Sequence, residues 1–207
     1  MTLKIAGIIF GMAIFGVSHS YLASLNFKRT LVKFAGKKIA FYRAFYTLFS
    51  SIEFLAILYL IPKIPQKVYD VGFPFDILIF GVQIAAFIGL VWTGLSFDWK
   101  EFIGITQIVR YFKGTYRIED LDEKPEFRVS GPFKFMRHPV YFFSILFLGA
   151  RPYMDVTYFV LFLSSTAYFI IGAYFEEKKL VEIYGDLYLQ YQKEVPFMFP
   201  RIGGFLS

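Results

Sequence analysis

From Ser130 to Phe143 the chain reads SGPFKFMRHPVYFF, with a cation, an imidazole and a proline in a row at Arg137, His138 and Pro139. His138 is one of only two histidines. An imidazole changes charge near neutral pH, so it can hold or pass a proton there. Pro139 suits the first position of a helix, where a missing N–H costs nothing. The N–H groups that follow, around Tyr141 and Phe142, then point out of the helix start as an anion site. After a further apolar stretch, Glu176 and Glu177 supply two adjacent carboxylates. Alone, such a pair reads as a solvated helix end. Facing the negative end of a helix dipole, it also calls for a cationic partner.

These groups sit in an unusually apolar chain. Of its 207 residues 57% are hydrophobic and 22% aromatic, with a mean hydropathy of +0.52. Only 18% are charged, against roughly 25% in soluble domains. The composition is that of an all-α integral membrane protein with one domain, residues 1–207. Without cysteine there is no disulfide, thiolate metal site or cysteine nucleophile. Two histidines more than a hundred residues apart give no metal-ligand spacing, so no metal is expected. The net charge of +6 comes from residues flanking apolar runs, which points to membrane topology and not to nucleic acid.

Five apolar runs are long enough, or nearly so, to be spans: residues 5–25, 39–61, 73–97, 139–150 and 156–175. The first has no small-residue cleavage site behind it and reads as a retained span. Gly7 and Gly11 within it have the spacing that lets helices approach closely. The last two runs form a hairpin turning near Arg151–Asp155, which brings His138 and the Glu176–Glu177 pair to the same side. Pro139 to Ala150 is nevertheless only about 18 Å long as a helix, against about 30 Å for Val156 to Phe175. Either the fourth span begins earlier, or the carboxylates lie off the level of the imidazole. Beyond Glu176, Leu180, Ile183, Leu187 and Tyr191 recur at helical spacing, as in an amphipathic helix on the cytoplasmic membrane face.

Basic residues decide the orientation. Residues 26–43, 98–138 and the tail from Glu176 hold 18 of the 22 lysines and arginines. With five spans these segments share one side, so the positive-inside rule makes that side cytoplasmic and leaves the N-terminus outside. The expected location is the cytoplasmic (inner) membrane. Residues 98–138 and 176–207 then form the cytoplasmic part. The acidic residues Glu119, Asp120, Asp122 and Glu123 read as a solvated loop. His19 lies near the cytoplasmic end of the first span, with Arg43 and Tyr46 opening the second. It is either an acceptor-site group, the default for ionisable residues inside membranes, or a structural histidine bonded to a serine.

Four elements occur in order: Arg137–His138–Pro139–Val140–Tyr141, then Glu176–Glu177, then Gly185–Asp186–Leu187–Tyr188–Leu189–Gln190–Tyr191, then Pro200. In this the chain resembles the membrane methyltransferases of the isoprenylcysteine carboxyl methyltransferase and phospholipid methyltransferase group. HSYLAS (19–24), FYRAFYTLFS (41–50) and FDWKEFIGITQI (97–108) are similar to the NnrU-like and methanethiol S-methyltransferase branch.

The resemblance implies S-adenosyl-L-methionine as methyl donor. Residues implied to bind it are Gly131, Arg137, His138, Pro139 and Tyr141, with Glu176, Glu177, Tyr188, Tyr191 and Arg201. A helix start with cations suits the donor's carboxylate. Glu176 or Glu177 suits its ammonium or ribose hydroxyls, and Tyr141, Tyr188 and Tyr191 can cover the adenine and face the sulfonium. Arg201 would neutralise the donor's carboxylate or anchor the tail. His19, Arg43 and Glu176 are the implied catalytic residues. The acceptor would be a small thiol, or a lipid-borne group reaching the site among membrane lipids. A thiol must ionise from a pKa near 8.5, so a base such as His19 or a glutamate would help. No glycine-rich dinucleotide fingerprint follows a strand, so the soluble Rossmann way of holding this donor is excluded. The rival reading is a non-catalytic NnrU-like accessory or scaffold protein. A transporter is disfavoured, because no inverted repeat is visible.

Overall fold

A computed structural model of the chain describes residues 1–96, 98–121 and 129–200. Asp122, Glu123 and Arg201 lie outside the described residues. The helices are α1 (Thr2–Ala23), α2 (Leu25–Ala35), α3 (Tyr42–Leu60), α4 (Phe75–Gly94), α5 (Trp99–Phe102), α6 (Ile105–Phe112), α7 (Pro139–Gly149), α8 (Val156–Tyr184) and α9 (Asp186–Glu194). Two short strands, β1 (Lys67–Asp70) and β2 (Tyr153–Asp155), pair antiparallel. Among the described residues, four helical stretches are long and apolar enough to cross a membrane: Thr2–Ala23, Leu25–Leu60, Phe75–Gly94 and Val156–Tyr184. The run at 139–150 is the shorter apolar helix α7.

The chain folds as two compact units. One holds Ala6–Pro62 and Phe97–Glu126. In it α1 and α3 pack antiparallel, and their contacts run in opposite order along the two helices. A Cβ on Gly7 would lie 3.5 Å from Pro62, and one on Gly11 3.3 Å from Ile57. Phe15 meets Phe54 at 5.0 Å between ring centres, and the Tyr42 hydroxyl donates to the Leu22 carbonyl at 2.8 Å. The small residues of α1 thus make room for the branched side chains of α3. The basic segment expected to connect these spans is itself helical. Ser24 caps α2 by accepting from the Phe27 N–H, and Phe27, Leu31 and Val32 pack against the Ile39–Tyr46 core. That apolar face, with Phe27 and Leu31 four residues apart, explains how a basic segment folds as helix.

The other unit holds Met1–Ile5, Lys63–Ser96 and Phe127–Ser207. Here α4 packs closely on α7. A Cβ on Gly89 would collide with the Phe143 ring, and the Gln83 amide donates to the Phe147 carbonyl at 3.1 Å. The α7–α8 hairpin turns where expected. Asp155 caps α8 by accepting from Tyr158 N–H, and Arg151 lies 3.9 Å from the Tyr158 ring centre. The strand pair at this turn was not foreseen.

The C-terminal region departs from the expected pattern. α8 does not stop near Phe175 but continues to Tyr184, so Leu180 and Ile183 belong to it. Gly185, at φ 56°, then redirects the chain into α9, which carries Leu187 and Tyr191. A left-handed residue cannot continue a helix, which is why one periodic pattern divides into two elements.

Candidate active site

Pro139 is buried at the first position of α7, fixing where that helix begins. Immediately before it, two main-chain bonds hold the loop: Arg137 N–H donates to Pro196 O at 2.9 Å and His138 N–H to Phe197 O at 3.1 Å. The Arg137 guanidinium reaches the same tail, donating to the carbonyls of Gln192 (2.9 Å) and Val195 (2.5 Å). Phe142 N–H donates back to His138 O within the helix, so it is not one of the outward donors expected there.

The structure puts the imidazole between the two carboxylates. His138, 5% exposed, has Nε2 3.1 Å from Glu177 Oε1 and Nδ1 3.7 Å from Glu176 Oε2. An ionised carboxylate only accepts, so Nε2 carries the hydrogen toward Glu177. The imidazole and the carboxylates are therefore level with one another, despite the short α7. The dipole argument for a cationic partner does not hold, because the pair sits about two turns before the end of α8 and the dipole's effect fades within the last turn. The cation is there for another reason: Arg137 Nε donates to Glu177 Oε1 at 2.5 Å.

The two glutamates differ sharply. Glu177 is 13% exposed and has both oxygens engaged, Oε1 by Arg137 and His138 and Oε2 by Gln192 Nε2 at 2.8 Å. Among the described residues, Glu176, 46% exposed, takes one hydrogen bond, from the Tyr141 hydroxyl at 2.9 Å. Tyr141 in turn stacks on His138 and on Phe169, at 5.5 and 5.4 Å between ring centres. Glu177 therefore holds the loop together, while Glu176 is the carboxylate that can meet a ligand.

Tyr188 and Tyr191 pack with Val195 in a small core that includes Val129, Leu180 and Val181. The Tyr191 hydroxyl donates to Phe133 O at 2.7 Å. Burial raises the pKa of both phenols well above the usual tyrosine value, with the nearby Glu177 carboxylate pushing the same way. At 2% exposure Tyr188 has no face left for an adenine. Gly131, at φ 55°, begins a short turn of helix, and a Cβ there would strike the Ser96 hydroxyl. A cleft of about 360 Å³ adjoins this core, lined by residues such as Lys134, Gln190, Tyr191 and Glu194.

His19 and Arg43 lie in the other unit. His19 Nε2 is 2.7 Å from the Tyr46 hydroxyl. Arg43 Nε donates to Phe102 O at 2.8 Å. Sequence reasoning missed Glu53, whose Oε1 accepts from Ser18 at 2.7 Å between α1 and α3. A lone acidic residue inside an apolar run was the available signal. It also missed Gln192 and the tail carbonyls, for which no residue type gives a sign.

The donor set fits S-adenosyl-L-methionine in part: Glu176 can take its ammonium or ribose hydroxyls, with Tyr141 beside it. Arg137 gives Nε to Glu177 and Nη1 to the carbonyls of Gln192 and Val195.

The sequence model described as phospholipid methyltransferase matches residues 82–187. The chain is 31% identical over 198 residues to the methanethiol S-methyltransferase of Pseudomonas deceptionensis, covering 92% of this chain and 71% of that protein. It is 27% identical over 190 residues to methanethiol S-methyltransferase 1 of Bradyrhizobium diazoefficiens, covering 91% and 64%. With the Mycobacterium tuberculosis methanethiol S-methyltransferase the identity is 25% over 194 residues, covering 91% and 75%. The chain thus spans 64% to 75% of the length of these three relatives. No solved structure matches it. With its Arg–His–Pro turn set against paired glutamates, this chain belongs to the phospholipid methyltransferase family and is similar within it to the methanethiol S-methyltransferases.

Proposed function

We propose that this protein is an integral membrane methyltransferase that moves a methyl group from S-adenosyl-L-methionine to a small thiol. The observation carrying this reading is the contact of His138 with Glu176 and Glu177, in a chain aligned over about nine-tenths of its length with methanethiol S-methyltransferases. When bound, the donor supplies an electrophilic methyl on a sulfonium, and transfer is an in-line displacement with no covalent enzyme intermediate. The chain's part is alignment and exclusion of water. Glu176 accepts hydrogen bonds from the donor's ammonium or ribose, and Tyr141 aims that carboxylate. Glu177, Arg137 and His138 hold the loop in register, with Gly131, Pro139, Tyr188 and Tyr191 as its frame. His19 and Arg43 keep their expected roles toward the acceptor. The expected role of Arg201 at the donor's carboxylate belongs to the same proposal.

The proposed topology has five spans, α7 being the short one, with the N-terminus outside the inner membrane. α9 then lies at the cytoplasmic face as an amphipathic element. Calorimetry with S-adenosylhomocysteine, followed by transfer of labelled methyl to methanethiol, a prenylcysteine and an aminolipid, tests the reading. Binding with transfer to the thiol is expected. Folded protein that fails to bind overturns the donor, and transfer to the lipid-borne acceptors alone overturns the thiol.

A further inference from the structure

Asp98 caps α5 by accepting from the N–H groups of Lys100 and Glu101, and Gly104, at φ 90°, turns the chain into α6. That corner is set hard against the start of α3. A Cβ on Gly104 would collide with the Ala44 main chain, and Arg43 Nε donates to Phe102 O at 2.8 Å. The two short helices therefore stand where α3 begins, and α3 lies within a stretch long and apolar enough to cross a membrane. All of these residues belong to one compact unit.

α6 is turned the wrong way round for water. Its exposed residues are Ile105, Val109 and Phe112, at 45%, 43% and 75%, and they recur at helical spacing as one stripe. Gln107, by contrast, is 5% exposed, and its Nε2 donates to the Glu101 carbonyl at 3.0 Å. Arg110 Nη1 donates to the Glu101 carboxylate at 3.1 Å. A helix in water hides its apolar stripe and wets its amides, and this one does the reverse. The apolar surface also extends beyond α6. Trp99 and Phe102 are exposed, with rings 5.8 Å apart. Phe112 meets Phe41 at 5.9 Å, and four residues further on exposed Phe45 stacks on exposed Phe49 at 5.9 Å. Exposed apolar side chains thus lead from α3 onto α6, so one medium covers both.

We propose that α5 and α6 lie along the bilayer surface, with Trp99, Phe102, Ile105, Val109 and Phe112 set into the acyl-chain boundary of one leaflet. This is independent of the methyl-transfer reading. The occupant is a phospholipid surface and not a second copy of the chain, because the stripe continues the lipid-facing side of α3. Its residue types agree: tryptophan favours the membrane interface, and the exposed Lys100 and Lys113 have stems long enough to bring their charges to water. A helix so placed sinks its apolar face about 5–10 Å into the boundary between headgroups and acyl chains. The charged segment from residue 98, expected in the cytoplasmic part, therefore stays with the membrane through α6.

Trp99 is its own reporter, because the chain's other tryptophan is Trp92 alone. Trp92→Phe protein is placed in phosphatidylcholine nanodiscs whose acyl chains carry bromine near the headgroup, near the methyl end, or nowhere. Trp99 should lose most of its emission to the shallow bromine and less to the deep one, and iodide in the buffer should hardly quench it. A second reporter, Phe112→Trp in a chain lacking both natural tryptophans, should behave alike, since the two ends of the stripe share one depth. Strong quenching by iodide without quenching by bromine puts the stripe in water and overturns the proposal. Protection from both puts it against another copy, and stronger quenching by the deep bromine puts it in the hydrocarbon core. Either result overturns the proposal, as does a bromine-quenched Trp99 with iodide quenching at position 112. Should Trp92→Phe fail to fold, single cysteines decide, because the chain has none of its own. In nanodiscs a charged maleimide should label Lys113→Cys several times faster than Val109→Cys, and equal rates overturn the proposal.

Discussion

Two adjacent glutamates of the same type have opposite surroundings, and this sets their expected behaviour. Glu177 is held by Arg137, His138 and Gln192, whereas Glu176 keeps a half-exposed carboxylate with one tyrosine partner. Glu176→Gln should therefore weaken S-adenosylhomocysteine binding roughly ten- to a hundredfold, the worth of one charge-assisted hydrogen bond, with thermal stability unchanged. Arg137→Ala should instead cost about 3 kcal/mol or more of stability, because it leaves Glu177 buried beside an empty place and two carbonyls without their donor. Thermal unfolding in detergent distinguishes the two outcomes. The sequence identified the Arg–His–Pro turn and the glutamate pair by residue type and order. It did not divide their labour, since that depends on Gln192 and on carbonyls that every residue possesses. Glu53 was legible as a lone acid among apolar residues, yet only its neighbour across the helix pair gives it a meaning.

The helices that present these groups depend on a few close approaches. Gly89 lets α4 meet the Phe143 ring on α7, and Gly89→Val should destabilise the fold by about 1–3 kcal/mol through overpacking. The α9 core makes a different prediction. Burial raises the pKa of Tyr188 and Tyr191, so the folded chain keeps protons that the unfolded chain gives up above about pH 10. The stability this provides is complete below that pH and declines as pH rises above it. Alkaline thermal melts should show the decline, and Tyr188→Phe with Tyr191→Phe should reduce it. At this scale the apolar runs marked the helices well, because membrane burial imposes length and composition together. The boundaries in polar segments were less legible. Lys28, Arg29 and Lys33 read only as a basic segment between spans although they ride on α2, and Lys178 and Lys179 masked the continuation of α8.

For the molecule as a whole, the proposed orientation follows from the distribution of lysine and arginine. A reporter that is active only in the cytoplasm should work when fused after residue 200 and fail when fused within residues 62–72. The opposite result would invert the topology. Order of synthesis adds something the finished fold conceals. Arg137 precedes Gln192 and Val195, the residues whose carbonyls receive its guanidinium, by 55 and 58 positions. While the chain is being made, that guanidinium must stay hydrated at the bilayer edge, its eventual acceptors not yet translated. On the proposed reading, donor recognition then waits until the tail has been made.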